Sequence, residues 1–133
     1  GRGKAMSPEI LRYDDATSRP STIHAPIVFP DKYYDYLHKG MSGVFSSPMG
    51  TAHRHRLPGD SWQLAGKTGT VQLLTYHGTN MRNGPNHAIF VGYAPAHDPR
   101  YSCAVVVERG GSGSGAAAPI ARELLVALKP LHI

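Results

Sequence analysis

The stretch His87-Ala88-Ile89-Phe90-Val91-Gly92-Tyr93-Ala94-Pro95-Ala96-His97-Asp98-Pro99-Arg100-Tyr101-Ser102-Cys103-Ala104-Val105-Val106-Val107-Glu108 decides the fold. Two runs rich in β-branched and aromatic residues flank a short segment built on Pro95, Asp98 and Pro99, so they read as the strands of an antiparallel hairpin. In the first run Ile89, Val91 and Tyr93 alternate with Ala88, Phe90 and Gly92, the pattern of a central strand covered on both faces. The second, with Ala104-Val105-Val106-Val107, also reads as buried on both faces.

Toward the C-terminus, Gly110 to Ser114 is a flexible Gly/Ser stretch, and Pro119 stands at a natural first helical position. Ile120, Leu124 and Leu128 fall four apart, which predicts a helix from about Ala118 to Leu128 that Pro130 ends. Toward the N-terminus, Trp62 to Leu74 reads as a third strand, Tyr76 to Asn86 as a surface loop near it, and Ser46 to Asp60 as a longer loop. Before that, Asp31 reads as an N-cap and Lys32 to Phe45 as an amphipathic helix whose stripe, Tyr33, Leu37, Met41 and Phe45, faces a core. Gly40 and Gly43 weaken this helix by up to about 1 kcal/mol each relative to Ala, which predicts another element packed closely there. The first thirty residues, broken by Pro8, Pro20, Pro26 and Pro30, read as extended pieces at Ile10 to Tyr13 and Thr22 to Phe29. The class is therefore α+β: a three-stranded antiparallel sheet with the C-terminal helix packed on it and the earlier helix nearby. Residues 1–133 show no internal repeat and no domain boundary.

The 133 residues are 41% hydrophobic and 17% charged, with 15 glycines and 11 prolines. That composition suits one small packed unit of turns and short strands, and excludes a collagen-like or disordered chain. No apolar run approaches the roughly 18 residues of a membrane span, and no signal-type stretch follows Gly1-Arg2-Gly3-Lys4. The formal charge of +5 is spread along the chain without the basic run that tracks a phosphate backbone, so no nucleic-acid partner is expected. One cysteine, Cys103, excludes a disulfide framework, and within an apolar strand it reads as a small buried side chain. Eight histidines include one close pair, His53-x-His55, too few for a metal site, and no cofactor is implied. His53 and Arg54 read as neighbours of a substrate cleft.

Chemistry enters with Ala65-Gly66-Lys67-Thr68-Gly69-Thr70-Val71-Gln72, at the start of the first strand. Lys-Thr-Gly is one of three separated signatures of penicillin-binding proteins and serine β-lactamases. On a strand, Lys67 and Gly69 face one way and Thr68 and Thr70 the other, so one ligand can use all four only along the strand's edge. Gly69 admits a ligand backbone, the N–H beyond it can meet a developing oxyanion, and threonine hydroxyls beside an ammonium can hold a carboxylate.

Around that triplet, Gly3-Lys4-Ala5-Met6-Ser7-Pro8, Leu37-His38-Lys39-Gly40-Met41, Ala65 to Gln72 and His87 to Pro95 follow in an order and spacing similar to class B penicillin-binding proteins of the elongation type. Val107-Glu108-Arg109-Gly110 through Ala118-Pro119-Ile120-Ala121-Arg122 resembles the final strand, glycine loop and C-terminal helix of their transpeptidase domain. The resemblance implies a peptidoglycan D,D-transpeptidase that cross-links stem peptides ending in D-Ala-D-Ala through an acyl-enzyme and is acylated by β-lactams. It makes Lys67 the third-motif lysine, assigns Thr68, Gly69 and Thr70 to substrate binding, and gives the oxyanion to the Thr70 N–H. It also implies a five-stranded sheet of which these strands are three.

No serine opens a Ser-x-x-Lys or Ser-x-Asn. The resemblance therefore implies that the nucleophile and the middle motif belong to a missing N-terminal half, that these residues alone are inactive, and that they take no penicillin adduct. It places the parent on the periplasmic side of an inner membrane, with a membrane glycosyltransferase of the elongation machinery among its partners. Arg109 and the Asn86-His87 junction depart from the family pattern. Other readings stay open: a non-catalytic structural or regulatory module derived from a transpeptidase, part of a serine β-lactamase, or a polyanion-binding module using Tyr33, Tyr34 and Tyr36.

Overall fold

A computed structural model describes Ala25 and residues 27–59, 61–72, 74–77, 80–83 and 85–131. The Gly3–Pro8 stretch, the predicted strand piece Ile10–Tyr13 and half of Thr22–Phe29 lie outside them. The chain divides into two units, Gly1–Tyr36 and Leu37–Ile133, and the boundary falls inside the first helix.

That helix, α1, runs Asp31–Ser46, with Asp31 inside its first turn, where a carboxylate complements the helix dipole. The strands are β1 (Ala65–Val71), β2 (Leu74–His77), β3 (Asn80–Asn83), β4 (His87–Ala94) and β5 (Tyr101–Val107). They form a three-stranded antiparallel sheet in the order β1-β4-β5 and a separate β2-β3 ribbon. The α+β class, the central place of β4 and the β4–β5 hairpin agree with the sequence. The Tyr76–Asn86 segment is not a simple loop, because Thr75 pairs with Arg82 and Tyr76 with Met81 in the ribbon.

Registry decides the two faces of the sheet. Phe90 lies opposite Thr68 and Val105, and Ala88 opposite Thr70 and Val107, so these share one face. Helix α2 (Ala118–Ala127), with Pro119 in its first turn, packs on that face. Its buried residues are Ala118, Ala121 and Leu125, while Ile120 and Leu124 are exposed. The small alanines let the helix sit close to the strands, which turns the predicted Ile120/Leu124/Leu128 stripe partly outward. Trp62 is buried just before β1 and donates from Nε1 to Leu125 O at 3.0 Å, tying the strand's entrance to α2. Phe90 and Phe45 meet edge to face, ring centroids 5.8 Å apart. Gly66 and Gly92 are cross-strand partners, and a Cβ on either would strike the Phe90 ring.

Three expectations are corrected here. β5 is covered on one face only, because Ser102, Ala104 and Val106 point away from α2 and are exposed. In α1 only Phe45 is buried; Met41 is half-buried, and Leu37 and Tyr33 are exposed, because the helix commits its C-terminal end alone to the core. Among the described residues nothing packs on Gly40 or Gly43, where a Cβ would have no neighbour within 4 Å.

Candidate functional site

The end of α1 sets the position of everything beside β1. Its last carbonyls find partners in the chain that follows: Ser47 N donates to Gly43 O, Ala52 N to Val44 O, and His53 Nδ1 to Phe45 O. These bonds satisfy acceptors that a helix terminus leaves open and fold residues 47–53 back on the helix. Gly50 is required in this turn, since a Cβ there would collide with the carbonyls of Gly43 and Val44. The result places Thr51 against β1, with Thr51 Oγ1 and Thr68 Oγ1 2.8 Å apart.

Between α1, this turn and β1 opens a groove of about 320 Å³ lined by Gly40, Gly43, Val44, Ser47, Met49, Gly50, Thr51 and Lys67. Among the described residues Lys67 is the one charged residue in that lining. Its Nζ donates to Thr68 O at 2.5 Å, and its side chain is exposed. The bare flank of α1 at Gly40 and Gly43 thus forms part of the groove wall.

The four motif residues alternate as strand geometry requires. Lys67 and Gly69 lie opposite Val91 and Ile89 on the face away from α2, and Thr68 and Thr70 on the α2 face. Among the described residues β1 is an edge strand. Thr68 is only 8% exposed and does not line the groove. Thr70 is exposed, and its Oγ1 accepts from Gly113 N at 3.3 Å.

Gly113 opens a π-helical turn, Gly113–Ala117, that rests on β1 and β4. The turn is pinned from the other side, where Ser114 O accepts from Arg54 Nη2 at 3.0 Å and lies 2.9 Å from His55 Nε2. Sequence singled out His53 and Arg54 as cleft neighbours, whereas the structure engages them in holding α1 and this loop. The Gly/Ser stretch carries a buried glycine and a side-chain cap, Ser112 Oγ accepting from Gly115 N. Two positions singled out in the sequence meet: Arg109 N donates to His87 Nδ1 at 3.0 Å, and Gly111 N donates to Asn86 O.

Among the described residues no group of three or more His, Cys, Asp or Glu side chains comes together, and no helix is long and apolar enough to cross a membrane. Cys103 is half-buried on β5, and burial pushes its thiol above the ordinary value of 9.0. Burial likewise raises the Tyr93 phenol, whose Oη lies 2.8 Å from His38 Nδ1. Sequence reasoning missed Thr51 and the Gly113 turn. The signals were Gly50, which marks a close approach to α1, and Ser112 three residues before Gly115.

Comparison with known proteins adds identity to this geometry. The penicillin binding protein transpeptidase domain model matches residues 1–126. The peptidoglycan D,D-transpeptidase PbpA of Mycolicibacterium smegmatis is 46% identical over 70 residues, 49% of this chain and 13% of that protein. The peptidoglycan D,D-transpeptidase MrdA of Salmonella typhimurium is 28% identical over 138 residues, 92% of this chain and 22% of that protein. Penicillin-binding protein 2 of Helicobacter pylori, solved in complex with MreC, superposes with a TM-score of 0.67 at 26% identity, covering 88% of this chain and 21% of that one. The chain spans about a fifth or less of the length of these relatives.

Proposed function

Because the chain belongs to the penicillin binding protein transpeptidase domain family, we propose that it forms one wall of the catalytic cleft of a peptidoglycan D,D-transpeptidase of the penicillin-binding protein 2 type. The nucleophilic serine comes from a preceding segment. Its oxygen bonds to the penultimate D-alanine carbonyl carbon of a stem peptide, the C–N bond to the terminal D-alanine breaks, and the serine proton leaves on the departing amine. An amine of a neighbouring stem then takes the acyl group, forming the cross-link and returning a proton to the serine. β-Lactams acylate the same serine.

In this reading β1 docks the D-amino-acid tail along its free edge. The Lys67 ammonium orients the catalytic hydrogen bonds, the Thr70 N–H meets the oxyanion, and Gly69 keeps the edge clear of a Cβ. Thr70 holds the substrate carboxylate directly, and Thr68 contributes through the hydroxyl pair it makes with Thr51. The carrying observation is that, among the described residues, Lys67, Thr68, Gly69 and Thr70 lie on a strand edge beside a groove whose one charged lining residue is Lys67. A cationic end suits an anionic peptide terminus. The reading further has the enzyme work on the periplasmic side of the inner membrane with a membrane glycosyltransferase among its partners, and the Helicobacter pylori complex with MreC supports an MreC-type scaffold as another.

The test labels the full-length protein and the isolated 133-residue chain with a fluorescent penicillin and reads the adduct by intact mass. The reading expects a stoichiometric adduct on the full-length protein, a strongly slowed one in Lys67→Ala, and none on the isolated chain. A full-length protein that forms no adduct would leave a non-catalytic module instead.

A further inference from the structure

We infer that Thr51 is a substrate-binding residue: it shares the groove lining with Lys67, and Thr68 acts behind it. The inference rests on the functional reading above, which needs a hydroxyl at this end of the motif to receive a carboxylate. The geometry gives that task to the neighbour. Thr68 is 8% exposed and outside the groove lining, whereas Thr51 is exposed and shares the lining with Lys67.

Their oxygens are 2.8 Å apart, so one hydroxyl donates to the other. A buried hydroxyl must be satisfied, and an exposed one can turn its proton to a ligand. The order that meets both conditions runs from Thr68 to Thr51 to the carboxylate. Thr68 donates to Thr51 Oγ1, and Thr51 donates into the groove, where an anionic acceptor gives a charge-assisted bond. Thr70 has the same design from the other side, since Gly113 N occupies one of its lone pairs and leaves its own proton free to donate. Within the groove the carboxylate is thereby met by the Thr51 hydroxyl and the Lys67 ammonium, each backed by a partner in this chain, while the exposed Thr70 hydroxyl lies outside that lining, farther along the strand. The Gly43 and Val44 carbonyls that force Gly50 tight against α1 keep Thr51 in place before any ligand arrives.

The experiment uses the full-length protein and two probes, benzylpenicillin and its methyl ester, reading the second-order acylation rate constant for each by intact mass. Wild type should prefer the acid. Thr51→Val, which keeps the shape and removes the hydroxyl at an exposed position, should lower the acid-to-ester ratio about tenfold or more, the loss expected for a hydrogen bond to a charged group. Thr51→Ser should hold the ratio within about twofold, and Thr68→Val should lower it less than Thr51→Val does. A purely structural role would slow both probes in parallel and leave the ratio alone. An unchanged ratio in Thr51→Val, or a larger loss in Thr68→Val, would overturn the assignment while the functional reading stands. A wild-type protein that reacts with neither probe would overturn both.

Discussion

Replacing Gly113 by alanine should be among the most damaging single changes in the chain, although it adds one methyl group. A Cβ there would lie 2.5 Å from Ile89 O and 2.7 Å from Gly69 N, and closer still to Gly69 O. All three are backbone atoms of β1 and β4, so no side chain can swing aside. Restoring ordinary contact at about 3.5 Å requires the turn to retreat by about 1 Å. Overpacking of this kind costs about 1–3 kcal/mol. The retreat also stretches the 3.3 Å bond from Gly113 N to Thr70, worth about 1 kcal/mol. It pulls Ser114 O from Arg54 and His55 as well. Against this stands a gain of about 0.4–1 kcal/mol from the stiffer unfolded chain. The net loss should be about 2–3 kcal/mol. Urea titration of the 133-residue chain at sub-micromolar concentration, in a stabilising osmolyte that gives the marginal wild type a folded baseline, can read it through Trp62, the single tryptophan, buried against α2. Gly111→Ala is the control: its φ of +85° strains an alanine, but nothing lies within 4 Å of the new Cβ. It should cost about 1–2 kcal/mol and leave Thr70 undisturbed. A Gly113→Ala chain within 0.5 kcal/mol of wild type, a threshold on the order of an ordinary surface substitution, would refute this account of the turn.

Gly43→Ala should do the reverse, raising stability by about 0.8–1 kcal/mol through helix propensity alone, while its methyl group narrows the groove and slows penicillin acylation of the full-length protein. Faster acylation, or lower stability in urea, would contradict the open groove wall. Cys103 should be alkylated by iodoacetamide at pH 8 more slowly in the native chain than in urea, because burial raises its thiol. The folded state holds that proton longer, so the stability it contributes is complete below the unfolded thiol's value and declines as pH climbs past about 9. A native rate equal to the unfolded one would remove the argument.

The elements legible in the sequence are those whose period and punctuation agree. β4 and β5 alternate and are separated by proline-rich turn chemistry, and α2 starts at Pro119 and ends before Pro130. Faces were harder to read than elements. Val105, Val106 and Val107 are alike as letters, and only registry with β4 puts Val106 outside. In α2, Ile120 and Leu124 carried the more visible hydrophobic signal, but Ala118 and Ala121 are buried because small residues permit the closest approach to a sheet. The β2–β3 ribbon was hidden by Asn80, Asn83 and Gly84, residues of turns, so Tyr76 to Asn86 read as loop. At the site, Lys67 to Thr70 was legible as a motif on a strand edge. The partners of its hydroxyls were not, since Thr51 and Gly113 reach Thr68 and Thr70 across 17 and 43 residues.

The same geometry bears on how these residues behave by themselves. Among the described residues the buried apolar side chains larger than alanine are Phe45, Trp62, Leu64, Phe90, Pro95 and Leu125; the others are alanines, each of which removes little area from water. Meanwhile Val71, Val91 and Val106 are 44%, 44% and 64% exposed on the sheet face away from α2, and Ile120 and Leu124 are exposed on α2. Among the described residues, β5 ends the sheet as an edge strand, and its seven residues, Tyr101–Val107, contain no charge and no proline. Edges without such protection pair with other chains. The isolated chain should therefore be marginally stable and self-associate as its concentration rises, with Val106→Lys weakening association because it places a charge on the exposed side of that edge without touching the core. Sedimentation velocity across a concentration series decides it. A chain that remains a single monomeric species throughout and melts cooperatively would show that the alanine-rich core suffices, and that the valine face needs no cover.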